Sequence, residues 1–118
     1  MTSTLPIIKD ARIRILGITT LKRSALMPEL PTVAEQGLPG FDAASWFGIM
    51  APAKTPRAII DRLYRDLANI VNSTDMKNFI LAQGAEPALM DPAEFAKYLH
   101  QEIIKWRKVV KSANLPPQ

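Results

Sequence analysis

Cysteine is absent from the 118 residues, which excludes disulfide stapling, thiolate zinc sites and cysteine nucleophiles. A single histidine, His100, rules out a multi-histidine metal centre and a relay between two imidazoles. No apolar run approaches the roughly 20 residues needed to span a bilayer as a helix. Charge of one sign is also scarce: 15 Lys and Arg against 11 Asp and Glu leave +4, short of the basic footprint of a dedicated nucleic-acid domain. The N-terminus, Met1-Thr2-Ser3-Thr4-Leu5-Pro6, has no basic stretch followed by an apolar core, so no secretory signal is expected in this chain. What remains is 47% apolar and 22% charged, an ordinary composition for one small domain. Proline is the exception, with 10 residues gathered near the ends of apolar segments.

Arg12-Ile13-Arg14-Ile15-Leu16-Gly17-Ile18-Thr19 opens with polar–apolar alternation and is β-branched, which predicts a strand. Thr32-Val33-Ala34-Glu35 has the form of a capping box, and Gly37 limits the helix behind it to one or two turns. Pro39-Gly40 predicts a turn, and the apolar run within Asp42–Pro52 a buried strand. Thr55-Pro56 starts a helix of about four turns whose apolar stripe is Ile60, Leu63, Leu67 and Ile70. Asp61–Arg65 and Arg62–Asp66 are spaced for pairing on its outer face. A shorter helix follows over Ser73 to Gln83, closed by Gly84. Asp91-Pro92-Ala93-Glu94 then caps a long final helix with the stripe Phe95, Leu99, Ile103, Trp106, Val110 and Ala113, stopped by Pro116-Pro117. Lys105, Arg107, Lys108 and Lys111 gather where the helix dipole is negative. Two strands cannot make a sheet that so many helices cover, so the chain is either a helix-rich, partly open domain or a piece of something larger.

Four stretches carry a resemblance. Lys22-Arg23-Ser24 with Leu30-Pro31-Thr32-Val33-Ala34-Glu35-Gln36-Gly37-Leu38-Pro39-Gly40-Phe41 is the most specific. Ser45-Trp46-Phe47-Gly48-Ile49-Met50-Ala51-Pro52-Ala53-Lys54-Thr55-Pro56 continues it, and Ala82-Gln83-Gly84-Ala85-Glu86-Pro87 with the Trp106 helix completes it. Leu5-Pro6-Ile7-Ile8-Lys9 and the strand after it agree as well. In order and without large gaps, the chain resembles the C-terminal part of the Bug-type, TctC-like extracytoplasmic solute receptors of tripartite tricarboxylate transporters. It departs from them at Asp10-Ala11, where the family has a helix-ending glycine, and at Pro28, displaced from a position near Ser24.

The resemblance implies an α/β chain: the C-terminal part of a two-lobed, type II-like periplasmic-binding-protein fold, helix-rich with two or three short strands. Residues 1–52 would form part of the second lobe and the crossover strand, and 53–118 the C-terminal helices that return to the first lobe. It also implies capture of a small carboxylate without catalysis, delivery to membrane transporter subunits, and a periplasmic location for the full-length family. The rival is a truncated structural or interaction module with no ligand. The candidate ligand residues are Thr19 and Ser45, hydroxyls near strand ends, and Trp46 and Phe47, where the chain passes between lobes. Turn or capping roles for the hydroxyls, and core packing for the aromatics, compete with that reading. No catalytic residue, metal ligand, cofactor or nucleic-acid partner is expected. Strands stripped of their neighbours would expose edges and recruit another copy, so a homo-oligomer is expected.

Overall fold

A computed structural model describes residues 12–114. Leu5–Lys9, Asp10-Ala11 and Pro116-Pro117 therefore lie outside the described residues. The helices are α1 (Arg57–Asn72), α2 (Thr74–Ala82) and α3 (Pro92–Ser112), all at predicted positions. The chain divides into two compact units, Met1–Ala51 with Ile70–Pro87, and Pro52–Asn69 with Ala88–Gln118.

In the first unit the helix expected after Thr32 is replaced by a run of turns, although its capping box forms in full. Thr32 Oγ1 accepts from the Glu35 N–H at 3.1 Å, and Glu35 Oε2 accepts from the Thr32 N–H at 2.8 Å. Gly37, at φ +114°, ends the turn before an α-helical hydrogen bond pattern can propagate. Thr32 is nonetheless fully buried and pairs with Ile18 through an isolated parallel bridge. Ile18 donates to the Pro31 carbonyl at 3.0 Å and accepts from Val33 at 2.9 Å. Gly17 is required by this approach: a Cβ there would collide with the Gln36 amide, which instead donates to the Leu16 carbonyl at 3.0 Å.

Neither predicted strand becomes a strand among the described residues. Arg12–Thr19 pairs only at Ile18, and Asp42–Pro52 runs without helix, turn or bend. Apolar, β-branched composition sets a preference for extended backbone, but a ladder also needs a neighbour, and the described residues offer only the short segment at Thr32. The expected burial of this second segment is likewise corrected, since Phe47 is 82% exposed and Ile49 72%.

Helix α2 starts at Ser73, whose Oγ accepts from Met76 N–H at 3.3 Å. It ends in a Schellman motif: Gly84 donates to Leu81 at 2.9 Å, Ala85 donates to Ile80 at 3.1 Å, and Gly84 takes φ +73°. Just beyond, Glu86 ties this corner to the loop, accepting from the Ser24 hydroxyl and from the Ala25 N–H at 3.0 Å.

In the second unit α3 begins with the predicted capping box. Asp91 Oδ1 accepts from Ala93 and Glu94 at 2.7 and 2.8 Å, and Glu94 Oε2 accepts from Asp91 N–H at 3.0 Å. Its predicted stripe is only partly covered. Phe95 and Leu99 are half-buried, while Ile103, Trp106 and Val110 are exposed. The buried residue of α3 is Glu102, which takes the Trp106 indole N–H at 3.0 Å and pairs with Lys105. On α1, Arg62 meets Asp66 at 3.8 Å as predicted, but Asp61 pairs with Arg57 at 2.8 Å and not with Arg65. The i−4 partner lies within the first turn and competes for the same carboxylate.

Candidate functional site

Thr19 and the Ser45–Phe47 segment are brought together by one backbone hydrogen bond: Ala43 donates to the Thr19 carbonyl at 2.8 Å. The chain bends through residues 19–22, and the Thr20 hydroxyl donates to the Lys22 carbonyl at 2.7 Å to hold that bend. Thr19 and Ser45 are exposed, Trp46 is half-buried, and Phe47 projects almost fully into solvent. Core packing is therefore excluded for Phe47 within the described residues. The four candidates share one compact unit. A shallow depression lies elsewhere, on α3, lined by Gln101, Ile104, Lys105, Lys108 and Val109.

The loop that follows Thr19 is tied by side chains. Arg23 Nε donates to both Glu35 oxygens at 3.1 and 2.9 Å, and Arg23 Nη1 donates to the Pro28 carbonyl at 3.1 Å. The Thr32 backbone N–H, and then the Arg23 guanidinium, hold the Glu35 carboxyl below the ordinary glutamate range. Arg23 is thus committed to the loop. Lys22, its neighbour, is exposed and enters no ion pair among the described residues. The sequence reading had singled out the hydroxyls and aromatics and passed over Lys22. The signal was present as two adjacent cations, but which of them is spent on Glu35 is decided by contacts twelve residues apart.

These groups can do one kind of chemistry. Hydroxyls, a cation and aromatic faces are groups able to hydrogen-bond, charge-pair and pack against an anionic, partly apolar molecule. Among the described residues no group of three His, Asp or Glu side chains is placed to hold a metal ion, and no helix is long and apolar enough to cross a membrane.

The tripartite tricarboxylate transporter family receptor model matches residues 1–115. The chain belongs to that family. Family relatives include protein BugT of Bordetella pertussis strain Tohama I, 35% identical over 111 residues, covering 94% of this chain and 34% of BugT. A second is the UPF0065 protein in the tcbD–tcbE intergenic region of Pseudomonas sp. strain P51, 35% identical over 84% of this chain and 30% of that protein. Among solved structures, R. palustris Rpa4515 with adipate is 35% identical, with a TM-score of 0.81 over 99% of this chain and 39% of its own. This TctC-family chain thus spans about a third of the length of the two curated relatives. The superposition supports the binding-protein-like fold expected from the sequence, although the expected strands are not formed among the described residues.

Proposed function

We propose that this chain contributes one wall of a small-carboxylate site in a periplasmic receptor that hands its ligand to the membrane subunits of a tripartite transporter. The observation that carries the reading is the match to an adipate-bound structure over 99% of the chain. In this reading Thr19 and Ser45 donate hydroxyl hydrogen bonds to a ligand carboxylate, Lys22 adds the compensating charge, and Trp46 and Phe47 flank the carbon skeleton. The residues bind and orient; none transforms the ligand. Residues 1–52 then belong to the second lobe and crossover segment, and 53–118 to helices returning to the first lobe.

Five side chains, four of them exposed, cannot desolvate a carboxylate, so the 118-residue chain alone should bind adipate or citrate no tighter than about millimolar, near 4 kcal/mol. Isothermal titration calorimetry checks this. A chimera in which this chain replaces the matching part of R. palustris Rpa4515 should bind a di- or tricarboxylate at micromolar concentration, and Ser45→Ala and Trp46→Ala should weaken it about tenfold each. A folded chimera that binds none of these ligands would overturn the carboxylate reading. It would favour a second one, a structural or interaction module without a ligand. The exposure of Thr19, Ser45 and Phe47 is the observation that keeps that second reading in play.

A further inference from the structure

At the parallel bridge between Ile18 and Thr32, one hydrogen bond of the pairing is missing for a covalent reason. Ile18 donates to the Pro31 carbonyl at 3.0 Å, and its own carbonyl accepts from Val33 at 2.9 Å. Parallel bonds are evenly spaced, so the next one would run from the N–H of residue 31 to the Leu16 carbonyl. Residue 31 is proline and has no N–H to give.

The Leu16 carbonyl is occupied nonetheless. Gln36 Nε2 donates to it at 3.0 Å and lies 3.4 Å from the Thr32 carbonyl. Two carbonyls can accept only from the nitrogen, which fixes the orientation of the amide. Gly17 leaves the room for it, since a Cβ there would strike the amide. Gln36 belongs to the turn that follows Thr32, and its backbone N–H donates to the Val33 carbonyl at 3.2 Å. Its side chain therefore ties Leu16 to the segment that residue 31 would have tied it to, which hydration of the carbonyl does not do.

We propose that Gln36 is a positioning residue whose amide stands in for the N–H that Pro31 lacks and thereby sets the place of the Thr19 hydroxyl. The bridge at Ile18 has two hydrogen bonds, few for holding a register by themselves. The amide adds a third on one side of it, and Ala43 holds the Thr19 carbonyl at 2.8 Å on the other. Leu16 and Thr19 are three residues apart on backbone without helix or turn, so a slip at one is passed to the other. The consequence for a ligand rests on the carboxylate reading; the substituted hydrogen bond does not.

Hydrogen exchange of the 118-residue chain tests the bond. Gln36→Met keeps the side-chain length and removes the donor, and the residue is exposed, so no core is disturbed. Protection of the Ile18, Val33 and Ala43 amides should fall about fivefold, with the helical circular dichroism unchanged. In that background Pro31→Ala restores an N–H beside Leu16 and should recover most of the loss, whereas Pro31→Ala alone should bring no gain. A packing role for Gln36 would not be rescued in this way. Gly17→Ala should reproduce the loss, because it displaces the amide with the donor intact. Unchanged protection in Gln36→Met would overturn the proposal, as would equal effects of Pro31→Ala in the two backgrounds. In the chimera with R. palustris Rpa4515, Gln36→Met should weaken dicarboxylate binding about threefold, and Pro31→Ala should reverse the change. Binding at unchanged affinity after Gln36→Met would overturn the positioning role. A chimera that binds no carboxylate in any form, while exchange behaves as expected, would sink the carboxylate reading and uphold the role of the amide.

Discussion

Glu102 is the one charged residue of α3 withdrawn from water, at 6% exposure, and its removal makes a quantitative test of how that helix is held. Its Oε2 accepts the Trp106 indole N–H at 3.0 Å, and its other oxygen pairs with Lys105, whose ammonium also lies 5.6 Å from the Trp106 ring centre. Hydrogen bonds to a charged partner contribute about 1.5–3 kcal/mol. Lys105 and Trp106 retain access to water, so part of what Glu102→Ala removes is regained by solvation. The low end applies, and Glu102→Ala should cost about 1.5–2 kcal/mol. Glu102→Gln keeps an acceptor for the indole and should cost about half as much. In a cycle of Glu102→Ala with Trp106→Phe, the coupling should be about 1 kcal/mol. Urea denaturation followed by helical circular dichroism measures all four proteins. A coupling below about 0.3 kcal/mol would refute the reasoning, because the indole–carboxylate bond would then contribute nothing that water does not replace.

Two further tests address the first unit. Gly84→Ala should destabilise by about 1–2 kcal/mol, because the position sits at φ +73° in the Schellman turn; the same denaturation assay reads it, and a neutral result would discard that turn as a determinant. Glu35 should make the Arg23–Glu35 loop acid-sensitive. Its folded-state pKa is depressed, so its stabilisation is complete above the ordinary glutamate value of about 4.3 and is lost as pH falls through the depressed value. Protection of the Thr32 and Glu35 amides, taken relative to their intrinsic exchange rates, should therefore fall as acid protonates the carboxylate in the native protein but change little in Glu35→Gln, and identical pH profiles would show that the carboxylate does not hold the loop.

The three helices were legible in the sequence because their determinants are local. Asp91 with Glu94, and Gly84, act within four or five residues and form the bonds their positions predict, whereas the cap expected at Thr55 does not form and α1 begins at Arg57. Even the capping box at Thr32 forms, although the helix behind it does not, since Gly37 is also a local fact but its effect on a marginal helix is a matter of degree. The family was legible for another reason: the ordered motifs from Lys22 to Pro87 are long enough to be specific by themselves. Strand formation was not legible, because alternation in Arg12–Thr19 and apolar composition in Asp42–Pro52 state only what a residue would accept beside it. Whether a neighbour arrives is a property of residues distant in the chain. The same holds for burial on α3. Periodicity marked Ile103 and Trp106, while the protein withdraws Glu102, because an acid held by an indole and an ammonium can leave water. Which of Lys22 and Arg23 stays free was likewise decided in three dimensions, by where the turn at Thr32 carries the Glu35 carboxylate.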